Sequence, residues 1–279
     1  MSGADIRLIA VDLDGTLLDD DHATVPARNV RALRAAAERG VAVAIASGRV
    51  WALLTEIADQ LGPGTVKYAI CSNGSAVLDT ARGEWLCRRG LSQAQADGLF
   101  DLLRARRLPF EVYCEGENVV ERGLLDLVRA SAATPQFLET FERQTTFVDN
   151  LNVALAGRAV EKIHVFHVPP EERADLLREV EKLGPLTLAC SFRENLELAA
   201  GGVNKRAALE ALSARLGLDR SQVMAFGDAG NDLEMLTWAG WSFAMENAAP
   251  EIRAAARFTT LSNHAGGVGA AVEHWVLGK

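Results

Sequence analysis

The chain has 279 residues, 49% hydrophobic and 24% charged, values of a folded globular protein with room for one large domain or two smaller ones. Net charge is −8 and no basic stripe runs along the sequence, which argues against a nucleic-acid partner. No apolar run approaches the ~20 residues of a membrane helix, Met1 to Arg7 carries no basic-then-apolar leader, and Cys71, Cys87, Cys114 and Cys190 form no Cys-x-x-Cys pair, so reduced thiols in a cytoplasmic protein with no membrane attachment are expected.

The first apolar run, Leu8 to Val11, reads as a buried strand that stops at Asp12, Asp14 and Gly15. Two acids at i and i+2 point the same way while the chain stays extended, and like charges that close resist joint ionisation. A polar loop follows from Asp19 to Thr24, then a helix from about Pro26 to Arg39 with Gly40 as its stop. Val41 to Ala46 is a second apolar strand, ending in Ser47-Gly48-Arg49. A helix over about Trp51 to Leu61 leads to a third strand, Tyr68 to Cys71, ending in Ser72-Asn73-Gly74. Strands apolar on both faces, alternating with helices, predict a parallel sheet covered by helices.

Between about Gly83 and Asn195 the pattern changes. The spacing predicts a helix near Gln93 to Arg107 and strands at Phe110 to Cys114 and Asn118 to Glu121. A helical turn at Leu124 to Ser131, a strand at Ile163 to Val168, a helix at Glu171 to Leu183 and a strand at Leu186 to Phe192 follow. Several of these strands alternate polar and apolar residues, as in a sheet with one wet face. The parallel pattern resumes with a helix from Lys205 to Leu216, a strand from Val223 to Phe226 and a short strand at Trp241 to Met245. A last helix runs from near Gly269 to Val276. The expected fold is α/β: a Rossmann-like doubly wound parallel sheet core (residues 1–82 and 196–279) with an inserted α+β cap domain (83–195).

Three apolar strands therefore end in Asp12/Asp14, Ser47 and Gly227-Asp228-Ala229-Gly230-Asn231-Asp232. The carboxyl ends of parallel strands share one edge of a sheet, where ligands bind. Several carboxylates gathered there need a hard cation, and oxygen ligands favour Mg²⁺. Lys205, in the first turn of a helix capped by Asn204, opposes the helix dipole unless an anion binds beside it. A metal-neutralised carboxylate can attack phosphorus, and a second one can protonate the leaving oxygen and then deprotonate water.

The ordered set DLDGTLL (Asp12 to Leu18), SGR (Ser47 to Arg49), Lys205 and GDAGND (Gly227 to Asp232) resembles the haloacid dehalogenase superfamily of phosphohydrolases. The insert between SGR and the lysine, and SNG at Ser72 to Gly74, resemble its Cof-type branch. The resemblance implies Asp12 as nucleophile and Asp14 as general acid/base. It implies Mg²⁺ held by the Asp12 side chain, the Asp14 backbone carbonyl and Asp228, with Asp232 in support. Ser47, Gly48, Lys205 and Asn231 would bind phosphate, and Arg49 and Asn73 would orient substrate. The position after the lysine is often Gly in this branch; here it is Arg206.

The leading expectation is thus a Mg²⁺-dependent phosphatase of a small phosphorylated metabolite, a sugar phosphate or similar phosphoester, working as a monomer or homodimer. The alternatives are a phosphomutase of the phosphomannomutase type and a non-catalytic phosphometabolite-binding protein. Selectivity is expected to come from the insert. His164 and His167, three apart in one strand, would face opposite ways and make no joint metal site. His22, His264 and His274 show no partner pattern, Glu115-Gly116-Glu117 reads as a turn, and Gly266 to Gly269 as the approach to the last helix.

Overall fold

The computed structural model describes residues 5–131, 135–190 and 194–279. In chain order the strands are β1 (Leu8–Val11), β2 (Ala42–Ala46), β3 (Val66–Cys71), β4 (Ala76–Asp79), β5 (Glu84–Arg88), β6 (Phe110–Cys114) and β7 (Glu117–Glu121). They continue as β8 (Thr145–Val148), β9 (Val160–Val165), β10 (Leu186–Ala189), β11 (Leu196–Ala200), β12 (Val223–Gly227), β13 (Trp241–Ala244) and β14 (Phe258–Thr259). Two compact units result: a core of residues up to 49, 54–87 and 204–279, and an insert of 50–53 and 88–203. Among the described residues no helix is long and apolar enough to cross a membrane.

The core holds an eight-stranded sheet in the order β14-β13-β12-β1-β2-β3-β4-β5. Pairings from β14 through β3 are parallel, with β1 between β12 and β2. The sequences LIAV and VMAFG are buried at every position, the condition for a strand covered on both faces. The helix Lys205–Arg215 packs there through Ala208, Leu209 and Leu212. The helix Ala27–Glu38 buries Ala32, Leu33 and Ala36.

Strands β4 and β5 were not expected from the sequence. Ser72, Asn73 and Gly74 all take positive φ (53°, 56° and 101°), so the chain reverses and β4 pairs antiparallel with β3. The β5 segment thus belongs to the core sheet and not to the insert expected to start at residue 83. Nor does the insert end at residue 195. Strand β11 pairs with β9 and β10, because Leu196 and Leu198 fill the insert's own apolar cluster. The helix expected over Trp51–Leu61 is two pieces, a 3₁₀ turn at Trp51–Leu53 and a helix at Thr55–Leu61. The turn belongs to the insert, where the Ala52 N–H donates to the Gly116 carbonyl at 3.0 Å.

The insert holds a six-stranded sheet in the order β10-β11-β9-β6-β7-β8, antiparallel except for β7 and β8. One face, with Phe110, Val112, Ile163, Val165, Leu196 and Leu198, packs on the helices Gln93–Ala105 and Pro170–Glu181. The expected strand Ile163–Val168 starts and stops three residues earlier, since Lys162 pairs across to Tyr113 and His164 to Glu111. The strand read as ending at Phe192 ends at Ala189, and Phe192 lies outside the described residues. The helices Pro135–Arg143, Leu151–Ala154 and Pro250–Ala255 and strands β8 and β14 are short segments that the periodicity did not reveal.

Candidate active site

Strands β1, β2, β3 and β12 run parallel, so Asp12, Ser47, Ser72-Asn73 and Asp228 all follow strand ends on one edge of the core sheet. The Asp12 N–H still donates to the Phe226 carbonyl at 3.1 Å, but beyond it the chain coils. Leu17 N–H returns to the Asp12 carbonyl at 3.2 Å and Leu18 N–H to Leu13 at 3.0 Å. Gly15 sits at φ 77°, and a side chain there would run into the Asp228 carboxylate. Because extension ends at Asp12, the two acids do not share a direction. Asp12 turns to Lys205, and Asp14 turns to Arg49 and His22.

Lys205 Nζ lies 2.5 Å from Asp12 Oδ1 and 2.7 Å from Asp232 Oδ1, with all three side chains almost wholly buried. Asp232 Oδ2 accepts from the Asp228 and Ala229 N–H groups at 3.1 and 3.2 Å, and Thr16 Oγ1 donates to Asp228 Oδ1 at 2.9 Å. Asn204 caps the lysine's helix, accepting from Ala207 N–H at 2.7 Å. The cation that would oppose the helix dipole is thus compensated by two carboxylates. Burial works against the Lys205 ammonium, but Asp12 and Asp232 outweigh it and hold it charged well above the ordinary lysine range. Burial, then Asp232 and Asp228, drive the Asp12 carboxyl well up despite Lys205. Burial and the Asp232 charge push Asp228 up to about 6.

Asp12, Asp228 and Asp232 each offer a carboxylate oxygen within 4.8 Å of the others. Three acids, Asp12 and Asp232 buried and Asp228 half-buried, carry an excess of negative charge over one ammonium that a divalent cation offsets, and all-oxygen donors suit Mg²⁺. The Asp14 carboxylate lies outside this trio. Arg49 grips it with Nε at 3.0 Å and with one terminal nitrogen, and His22 Nδ1 lies 2.9 Å from Oδ1. Burial raises Asp14, yet Arg49 and His22 overcome it and hold this carboxyl well below the usual range.

Beside the acids lies a group of polar turn residues. Ser47 Oγ accepts from Arg49 N–H at 3.0 Å, Asn73 N–H donates to the Ser47 carbonyl at 3.0 Å, and Asn231 Nδ2 donates to Asn73 Oδ1 at 3.2 Å. A side chain at Gly74 would collide with the Asn204 carbonyl, so glycine lets the SNG turn seat against the lysine's helix. Arg206 points elsewhere, 3.7 Å from Glu210 in an exposed pair. Arg49 was expected to orient substrate; in the structure its guanidinium reaches Asp14 and the His22 carbonyl.

Sequence reasoning discounted His22 and missed Thr16 and Asn247, whose Nδ2 holds the Gly15 carbonyl at 2.8 Å. His22 reaches Asp14 because the turn Asp19 to Thr24 folds back (His22 N–H to Asp19 carbonyl, 3.0 Å), which no spacing rule announces. His164 and His167 do have separate surroundings, with His164 Nδ1 2.8 Å from Glu111 and His167 Nδ1 3.1 Å from Glu194.

The model of the haloacid dehalogenase-like hydrolases matches residues 9–272. The chain belongs to that family. It is 31% identical over 273 residues (98% of this chain, 97% of the relative) to the 5-amino-6-(5-phospho-D-ribitylamino)uracil phosphatase YcsE of Bacillus subtilis. It is 33% identical over 253 residues (88% and 86%) to an HMP-PP phosphatase of Serratia proteamaculans. Among solved structures, a haloacid dehalogenase-like hydrolase from Bacteroides thetaiotaomicron superposes with a TM-score of 0.84 at 25% identity, covering 96% of this chain and 99% of that one.

Proposed function

We propose that this member of the family is a phosphatase of small phosphorylated metabolites that depends on Mg²⁺ and works through a phosphorylated Asp12. The observation that carries the reading is Lys205 bridging Asp12 and Asp232, with Asp228 beside them. Both relatives described above are named as phosphatases, which supports the reaction class.

An Asp12 oxygen attacks phosphorus, the bond from phosphorus to the ester oxygen breaks, and the electron pair leaves with that oxygen as it takes a proton from Asp14. Water then attacks the acyl phosphate, losing its proton to Asp14, and releases phosphate and Asp12. Lys205 keeps its positive charge throughout and neutralises charge on Asp12 and on the phosphoryl oxygens. Mg²⁺ would be held by Asp12, Asp228, Asp232 and the Asp14 carbonyl, and supplies a Lewis acid for the phosphoryl oxygens. Ser47, Gly48, Asn73 and Asn231 supply polar groups around the transferred phosphate. Asp14 stands here as a carboxylate gripped by Arg49 and His22, the form that accepts the water's proton. To donate one it must first give up that grip and take a proton from solvent, which it then passes to the leaving oxygen.

Phosphate release from an ester panel with and without Mg²⁺ tests this. The wild type is expected to release phosphate only with the metal, and Asp12→Asn to lose turnover by roughly 10³-fold or more with its circular dichroism unchanged. A folded wild type silent toward every ester, or release that persists in D12N, would sink the reading.

A further inference from the structure

The stretch from Asp12 to Leu18 carries both acids that follow β1. Three of its carbonyls are taken by asparagine side chains from distant parts of the core. Asn29 Nδ2 donates to the Leu17 carbonyl at 3.0 Å, Asn263 Nδ2 to the Leu18 carbonyl at 3.1 Å, and Asn247 Nδ2 to the Gly15 carbonyl at 2.8 Å. Backbone groups fix the amide orientations. Asn29 Oδ1 accepts from the Gly269 N–H at 2.8 Å and Asn247 Oδ1 from the Asn263 N–H at 3.1 Å, so in both side chains the NH₂ group is the end that faces the stretch.

The three asparagines differ in what they contribute. Asn29 and Asn263 are buried, and the carbonyls they hold belong to the fully buried Leu17 and Leu18, where a lost partner leaves a polar group unsatisfied. Asn247 stands exposed in the loop after β13, on the same sheet edge as Asp228, and its bond to Gly15 is open to solvent. Water can satisfy that carbonyl in its place, so what Asn247 adds is direction. A peptide unit is planar, and fixing the Gly15 carbonyl fixes the chain on both sides of it. On one side Gly15 lies so close to the Asp228 carboxylate that a Cβ would collide with it; on the other the Thr16 hydroxyl donates to Asp228 Oδ1 at 2.9 Å. The held peptide bears on Asp228 twice, and Asp228 is one of the three clustered acids.

We propose that Asn247 is a positioning residue for the metal site: it holds the Gly15–Thr16 peptide against Asp228 and so keeps that carboxylate in place beside Asp12 and Asp232. The assignment rests on the Mg²⁺-dependent phosphatase reading and adds to it a residue outside the acids and the phosphate-binding groups. Partners that fix metal-ligating carboxylates from outside typically govern metal affinity by ten- to a hundredfold.

Isothermal titration of MgCl₂ into the metal-free protein reads this without turnover. Asn247→Ala is expected to raise the Mg²⁺ dissociation constant about ten- to a hundredfold. The Mg²⁺ concentration needed for half-maximal phosphate release should rise in step, while KM for the ester at saturating Mg²⁺ stays unchanged. A merely structural role would lower the Tm of the metal-free protein and leave the Mg²⁺ dissociation constant where it is, which overturns the proposal. Should N247A not fold by circular dichroism, Asn247→Asp takes its place. That variant keeps the shape and the acceptor for the Asn263 N–H but turns an oxygen, not an N–H, toward the Gly15 carbonyl. Its Mg²⁺ affinity is expected to fall although a negative charge has been added, and binding as tight as in the wild type overturns the proposal. A wild type that binds no Mg²⁺ removes the metal from the phosphatase reading and this inference with it; a wild type that binds Mg²⁺ no better than the folded variant removes this inference alone.

Discussion

In the core sheet the clustered charges follow strand ends, where the buried Asp12 leaves β1 and the half-buried Asp228 leaves β12; in the insert sheet buried charges stand in mid-strand, at Glu111, Lys162 and Glu197. The first arrangement gathers residues from distant parts of the chain into one cluster, Lys205 reaching Asp12 across 193 positions. The second lays cross-strand neighbours side by side, His164 between Glu111 and Glu197. The core cluster has more negative than positive charge and is suited to a cation. The insert cluster pairs its charges with one another and leaves Glu111 Oε2 and Asn118 Oδ1 without a hydrogen-bond partner.

The sharpest way to break this comparison is to remove the one cation of the core cluster. Lys205→Met leaves Asp12 and Asp232 buried without their shared ammonium, a change expected to cost about 3–5 kcal/mol at pH 7.5 in metal-free protein. Without Lys205 the Asp12 carboxyl, already driven up by burial, titrates still higher in the folded state. Acids raised in this way give stability that is present at low pH and lost as the pH rises. The deficit of K205M should therefore shrink between pH 7.5 and pH 5 in urea denaturation. An equal deficit at both would mean that Lys205 acts by packing and not by charge.

A smaller effect should follow from Mg²⁺ itself. Asp228, pushed up to about 6 by burial and Asp232, keeps its proton in the folded metal-free protein below that pH. Its contribution to stability is complete below its unfolded value of about 4 and disappears as the pH climbs through about 6. Cation binding needs the ionised form, so stabilisation by Mg²⁺ grows over the same interval. Saturating Mg²⁺ should raise Tm by roughly 5 °C at pH 7.5 and by little at pH 5. A larger rise at pH 5 would contradict the trio of carboxylates as the binding site.

The same contrast explains what could be read from the sequence. Strand ends marked by Asp, Gly and Ser after wholly apolar runs are local signals, so β1, β2, β3, β12 and their tips at Asp12, Ser47, Ser72 and Asp228 were legible. So was Lys205, because it breaks the dipole rule at a capped helix start. The insert was not legible in the same way. Its polar face depends on cross-strand register, Glu111 with His164 and Asn118 with Tyr113, and register is not written in any one segment. The strand Val160–Val165 shows this: its Glu161-Lys162 pair looks like a solvated loop until partners on β6 and β11 are known. Strands β4 and β5 were hidden by a reversal that rests on positive φ at Ser72 and Asn73, a conformation uncommon outside glycine.

The smallest predicted effect lies at the wet rim of the core cluster. His22 and Asp14 have side chains 62% and 40% exposed, so solvent screens their 2.9 Å pair in a way that it cannot screen Lys205. The Asp14 hydrogen bond raises the His22 pKa despite partial burial. A raised histidine gives stability that is complete below its unfolded value of about 6.5 and lost as the pH rises through the folded value. His22→Ala should therefore cost less than about 1 kcal/mol at pH 6, and less again at pH 9, by urea denaturation. Arg49 still grips Asp14 in that variant, which is why the loss stays small. A cost at pH 9 equal to that at pH 6 would assign His22 to holding the Asp19–Thr24 turn instead of the Asp14 charge. A cost of several kcal/mol would mean that the rim is as closed to solvent as Lys205, and the distinction between a buried charge cluster and its screened edge would fail.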